Sequence, residues 1–181
     1  EIDYMRNVPL GLDTGGDTKL LPYMIAYFHL VISKFSNVSI NYSAVIFPAF
    51  MFLLTVVAFF LFVREIFNDK KNKDLIALIA TAFLIISPSL LPRTVAGIPE
   101  KESVSFLFMF LAFYFFLLAW RSEKIKRGIL FASLAGISTA GMGLIWGGIR
   151  YLFLIVGLAV FIEFMLGKID KKKIINNFSG F

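Results

Sequence analysis

The sequence predicts an all-α, polytopic transmembrane helix bundle, and three observations carry that prediction. Hydrophobic residues make up 59% of the 181 and charged residues only 17%, with a mean hydropathy of +0.82 and 22 phenylalanines. A soluble domain of this length buries a core, but its average composition is far less apolar. Five stretches approach the ~20 mostly apolar residues that a spanning helix needs: roughly 42–63, 74–92, 103–120, 128–146 and 149–167. Cations alternate between the connections. Arg64, Lys70, Lys71 and Lys73 follow the first stretch; Arg121, Lys124, Lys126 and Arg127 the third; Lys168, Lys171, Lys172 and Lys173 the fifth. Between them, one loop carries Arg93 and Lys101 and the other only Arg150. By the positive-inside rule the three basic segments are cytoplasmic.

The elements follow in order. Residues 1–41 fall on the outer side. Within them 18–35, TKLLPYMIAYFHLVISKF, is apolar around much of its circumference but short, and it carries Pro22, His29 and Lys34. An interfacial or re-entrant helix suits it better than a sixth span. Pro48 and Pro88 lie inside spans, and Pro88 is expected to kink its helix. The 128–146 and 149–167 stretches are parted only by Gly147-Gly148, which predicts a tight hairpin. Residues 168–181 read as a cytoplasmic tail or loop. The chain opens on EIDYMRNVP without an initiator Met and stops at NNFSGF, as expected of a piece of a longer polypeptide.

Several function classes drop out. Without cysteine there is no disulfide and no thiolate metal site. The net charge of +6 belongs to topology and anionic-lipid contact. No basic face is interleaved with base-stacking aromatics, so nucleic acid is not an expected partner. The lone His29 lacks a His or Cys neighbour at zinc-ligand spacing. Glu163 lies near the inner end of its span and reads as snorkelling toward water or Lys168. Asn37, Asn41 and Asn177 match the Asn-x-Ser glycosylation pattern, a frequent match by chance.

The segment PRTVAGIPEKES, residues 92–103, is the most informative. It sets Arg93, Glu100, Lys101 and Glu102 between two long apolar runs. One reading is structural. Pro99 suits the first turn of a helix, and carboxylates there meet the positive end of the helix dipole. The other is a divalent-cation site, since hard cations such as Mg2+ or Mn2+ prefer carboxylate oxygens. If the helix starts near Pro99, residues 100 and 102 diverge by about 200° around it. One carboxylate then ligates while the other pairs with Arg93 by a bidentate bond. Arg93 alone reads equally as an interfacial arginine. Gly97 is a plain loop glycine or a point of close backbone approach. Trp146, Gly147, Gly148 and Arg150 read first as an interfacial Trp beside a tight turn.

In their order, these pieces resemble the N-terminal membrane half of the catalytic subunit of oligosaccharyltransferases, in its archaeal form. NVPLGLDTGGDTKLLPYMIAYFHLVIS is similar to the family's first large external loop. RTVAGIPEKES resembles its Ser-Arg-(Ser/Thr)-x-(Ala/Ser)-Gly-x-x-Asp-x-(Asp/Glu) signature, with Pro92 in place of Ser and Glu100 in place of Asp. LIWGGIRYLFLI resembles its Trp-Gly-Gly hairpin turn. The resemblance implies a C-type glycosyltransferase membrane domain, a Mg2+ or Mn2+ cofactor and an active site on the outer face of the cell membrane. It implies transfer of an oligosaccharide from a lipid (pyro)phosphate carrier to Asn in Asn-x-Ser/Thr of an acceptor protein or peptide. It assigns Glu100 as metal ligand, Glu102 to the second acidic position beside it, and Arg93 to orienting both. An amide nitrogen is a poor nucleophile because its lone pair is delocalised, and carboxylates that hold the amide oppose that delocalisation. The family's first diacidic motif is expected before residue 1, where Asp3 and Asp13 do not match it. Its later external-loop glutamate and Trp-Trp-Asp domain are expected after residue 181. Another membrane glycosyltransferase using polyprenyl-linked sugars shares the topology and an outer acidic loop. A transporter fragment requires charges facing a midplane cavity, and the spans hold almost none. A non-catalytic membrane scaffold is the remaining class.

Overall fold

The computed structural model describes residues 2–3, 12–13, 20–97 and 99–167. The 168–181 tail, the Asn177 site, Ile98 and most of residues 1–19 lie outside the described residues. Near the start, β1 (Ile2–Asp3) pairs antiparallel with β2 (Leu12–Asp13). The rest is helical: α1 (Leu20–Ile32), α2 (Ile40–Ile66), α3 (Lys73–Ile85), α4 (Lys101–Arg121), α5 (Ile125–Gly143) and α6 (Ile149–Met165). The chain is a membrane helical bundle. Among the described residues, α2 and α4 are long and apolar enough to cross a bilayer on their own. Large apolar side chains lie exposed along the helices, such as Leu53, Leu78, Phe83, Leu154 and Phe164, a surface that suits lipid and not water.

α4 is the central helix, packed between α2 and α5. Its α2 face is aromatic. Phe110 meets Phe59 edge-on with ring centroids 4.9 Å apart, and Phe113 stacks on Phe62 at 5.5 Å, around the buried Ala58. α4 packs most extensively on α5, and both helices bury small residues, Ala112 and Ala119 on α4 and Gly128, Ala132 and Ala135 on α5. Small residues at a membrane interface let backbones come close. The Phe108 ring lies directly on Gly141, where an added Cβ would stand 2.9 Å from it. α1 lies against α2. Phe28 meets Phe47 at 5.3 Å, and His29 Nδ1 shares a 3.0 Å hydrogen bond with the buried Ser43 hydroxyl. That bond gives the lone histidine a packing role.

The ends of the helices are tied. At the basic end, the Arg121 guanidinium donates to the Glu65 carbonyl, to Glu65 Oε1 at 3.0 Å and to the Ile66 carbonyl at 3.2 Å. It thereby caps the last carbonyls of α2, which have no intrahelical donor. Arg64 Nε pairs with Asp74 Oδ1 at 2.5 Å and holds the start of α3 level with the end of α2. The Glu65 side chain is only 15% exposed, so loss of its partner leaves a nearly buried charge. Arg121→Ala is expected to lower stability by about 2 kcal/mol, read as a lower unfolding midpoint in detergent. Arg121→Lys should recover less than half of the loss, since an ammonium does not fork across two carbonyls and a carboxylate.

Two boundaries next to the loops differ from the sequence reading. α3 was expected to run to residue 92 with a kink at Pro88, but it ends at Ile85, with Ser87 N–H turning back to the Leu84 carbonyl at 3.1 Å. A residue preceding proline is disfavoured in the helical region, and the hydroxyls of Ser87 and Ser89 bond each other at 3.0 Å across Pro88. Residues 86–90 form turns, followed by a 3₁₀ turn at Leu91–Arg93. α5 stops at Gly143, so the link to α6 covers 144–148 and not two glycines alone. In α6, Leu152 is the one buried residue.

Candidate functional site

The site forms where the loop after α3 meets the first turn of α4. Glu100 is the residue before the helix, extended at φ −79° and ψ 150°. Its carbonyl accepts from the Ser103 N–H at 3.2 Å and from the Ser103 hydroxyl at 2.7 Å, which locks the main chain at the helix start. Its carboxylate makes no capping bond to its own helix. Instead Arg93 Nη1 donates to Glu100 Oε2 at 3.3 Å and to Glu102 Oε1 at 2.8 Å. The three predicted site residues are thus together, and the geometry corrects the expectation in one respect. A single guanidinium nitrogen bridges two carboxylates, where a bidentate pair with one was expected. The helix begins at Lys101, so Glu100 escapes the divergence imposed on residues within one helix.

The pairing is unequal. Glu102 is the closer partner and its side chain is 21% exposed, against 39% for Glu100 and 49% for Arg93. Arg93 therefore holds Glu102 firmly and Glu100 loosely. Glu100 Oε1 and Glu102 Oε2 lie outside these bonds. The two carboxylates outnumber the guanidinium that bridges them, and Lys101 between them in sequence balances the remaining charge. The hard oxygens fit Mg2+ or Mn2+ by type. By number they supply part of a shell: among the described residues no three His, Cys, Asp or Glu side chains come together.

The loop is anchored from both sides. Gly97 has φ +142°, a region other residues rarely adopt, with open space around it; its constraint is conformational and not steric. Its N–H donates to the Val45 carbonyl of α2 at 3.0 Å. Pro48 lies one turn along and has no N–H to give the neighbouring Ala44 carbonyl. Thr94 is buried and its hydroxyl donates to the Leu90 and Leu91 carbonyls at 3.1 and 3.2 Å, bracing Arg93 from below. Thr94, Val45 and Ser103 were missed in the sequence. Thr94 next to Arg93 and Pro48 inside a span were the available signals for the first two.

The α5–α6 link lies against the same end of α4. Trp146 packs on Phe106, centroids 6.1 Å apart, one helical turn after Glu102. Trp146, Gly147, Gly148, Arg150, Tyr151 and Leu154 line an open depression of about 420 Å³. The two glycines differ. A Cβ on Gly148 would fall 1.9 Å from the Trp146 ring, while one on Gly147 meets nothing within 4 Å. Gly148→Ala is expected to expel the indole at a cost of about 1–3 kcal/mol and to shift tryptophan fluorescence, with Gly147→Ala leaving both within error. An unshifted spectrum for Gly148→Ala would contradict this packing.

Set beside known proteins, residues 2–181 match the family described as Oligosaccharyl transferase STT3, N-terminal. The chain is also 26% identical over 169 residues to the dolichyl-diphosphooligosaccharide–protein glycosyltransferase subunit STT3 of Saccharomyces cerevisiae (strain ATCC 204508 / S288c). That alignment takes in 91% of this chain and 22% of the yeast protein, so the chain spans less than a quarter of the relative it matches. With the family matched over nearly its whole length, this chain belongs to the oligosaccharyl transferase STT3 family and represents part of its N-terminal region.

Proposed function

We propose that the chain forms part of the catalytic subunit of an oligosaccharyltransferase, with Arg93, Glu100 and Glu102 in the active site. The reaction moves an oligosaccharide from a lipid (pyro)phosphate to the side-chain nitrogen of Asn in Asn-x-Ser/Thr. The observation that supports this most is the Arg93 bridge between two carboxylates at the end of the bundle opposite the basic loops, in a chain of this family. The basic end is taken as cytoplasmic, which puts the acidic site on the outer face of the membrane.

Each residue has a distinct task in this reading. Arg93 holds Glu102 in place and screens part of the charge between the two carboxylates. Glu100, loosely paired and fixed through its main chain by Ser103, is the ligand for Mg2+ or Mn2+, together with acidic groups from elsewhere in the whole protein. When bound, the cation supplies charge stabilisation to the departing phosphate. Acceptor peptide and lipid-linked oligosaccharide both require parts of the protein beyond this chain.

The Arg93–Glu102 pairing is testable as a coupled unit. In the full-length protein, Arg93→Gln and Glu102→Gln are each expected to reduce transfer about tenfold or more, as loss of a partner that supports a metal ligand does. The double variant should be little worse than either single one, because both remove the same interaction. Fully additive losses in a kinetic double-mutant cycle would show that the two residues act separately.

A further inference from the structure

α3 is too short for the membrane in which it stands. The Arg64–Asp74 pair sets α2 and α3 level at the basic end. From there α2 climbs from Arg64 to Val45, about 28 Å at ~1.5 Å per residue, while α3 climbs from Asp74 to Ile85, only about 16 Å. At the other end the Gly97–Val45 bond returns the loop to the full height of α2. Residues 86–96 therefore occupy about 12 Å of bilayer depth without an α-helix.

This stretch is irregular and exposed. Its N–H groups are partly used: those of Leu90, Leu91, Arg93 and Thr94 bond within the turns. Those of Ser89, Val95 and Ala96 meet no acceptor among the described residues. Ser89, Leu91 and Val95 are exposed. Non-helical backbone at this depth does not face lipid, because hydrocarbon satisfies no N–H or carbonyl. It persists where protein buries it or where it lines water. The exposed side chains are mixed, with Ile86, Leu91 and Val95 apolar, and it is the polar groups together with the bare N–H groups that call for water. Arg93 stands at the upper lip of the stretch, and the Ser87 and Ser89 hydroxyls lie at its floor.

We propose that residues 86–96 line a water-filled notch in the outer leaflet, open to the aqueous side and descending about 12 Å below Glu100 and Glu102. The proposal rests on the membrane orientation given above. Its consequence is a sideways approach. A phosphate headgroup carried by a lipid in the outer leaflet reaches the carboxylates through water, without rising out of the bilayer.

The test is thiol accessibility in the full-length protein, on a cysteine-free background, with an impermeant cationic methanethiosulfonate applied to intact cells. Ser87→Cys and Ser89→Cys are near-isosteric, and full labelling after denaturation controls for expression. Both are expected to react within about tenfold of the rate at Ala96→Cys, while Phe83→Cys on the lipid-exposed face of α3 reacts at least about a hundredfold more slowly. The notch is overturned if the two serine positions are as unreactive as Phe83→Cys while Ala96→Cys reacts, since lipid or another helix then fills it. Labelling of Lys71→Cys from outside would overturn the orientation instead. The serine positions are then compared with Phe83→Cys using reagent on the opposite side, and the same rate ratio decides the notch.

Discussion

Glu100→Gln in the full-length protein is expected to cut oligosaccharide transfer by about a hundredfold or more, the scale seen when a group stabilising transition-state charge is removed. The exchange keeps the size and shape of the side chain and deletes one negative charge. Folding should survive it. The closer Arg93 bond goes to Glu102 at 2.8 Å, the Gly97–Val45 bond is main chain, and the Glu100 carbonyl still receives Ser103. What is lost is the carboxylate with the weaker hold on Arg93, the one proposed as the cation's ligand. The defect should therefore deepen at limiting Mg2+ or Mn2+ and be relieved in part at high concentrations of either. Direct Mn2+ titration of the purified variant separates this from a purely structural effect, with affinity reduced at least about tenfold. Near-normal transfer by Glu100→Gln at limiting metal would remove Glu100 from the metal shell. A comparable loss from Glu102→Gln, with metal affinity unchanged in Glu100→Gln, would reassign the ligand to Glu102.

The difference between what was readable in the chain and what was not follows from the kind of force involved. α2 and α4 announce themselves through long apolar runs bounded by charge, because transfer into lipid depends on composition summed over a window. The end of α3 does not. LIALIATAFLIISPSLL stays apolar across Pro88, while the helix stops where backbone torsion before proline forbids it to continue. At the site, the co-location of Arg93, Glu100 and Glu102 was legible from opposite charges in a short loop. The bridge by one nitrogen was not, since it depends on Glu100 lying just outside the helix. The Val45–Gly97 tie is a bond between main-chain groups and leaves no side-chain signature beyond the permissive glycine and a nearby proline. The cap by Arg121 at the basic end was hidden for another reason: a basic residue after a span reads as topology, and only packing shows that it reaches back to α2.

The chain on its own is expected to show no transfer at all. Its described acidic site contributes two carboxylates, both bonded to Arg93 and one of them closely, and no third His, Cys, Asp or Glu joins them among the described residues. An oxygen-ligated divalent site takes about six ligands, with water making up part of the number. Two part-buried carboxylates beside a guanidinium therefore bind such a cation weakly and leave its position unfixed. A cation that is not positioned does little for a departing phosphate, because electrostatic stabilisation depends on charge held in place before the reaction. The matched region is 22% of the yeast relative. Purified residues 1–181 in lipid nanodiscs, supplied with lipid-linked oligosaccharide, Mg2+ or Mn2+ and an Asn-x-Thr peptide, should give glycopeptide no higher than a no-protein control. The full-length protein handled identically should be active, and a folded, monodisperse chain by size exclusion keeps a null result interpretable. Turnover by the chain alone would mean that its own residues complete a catalytic centre. Such a result would move the site away from the Arg93 bridge and favour a smaller polyprenyl-phosphate-sugar glycosyltransferase.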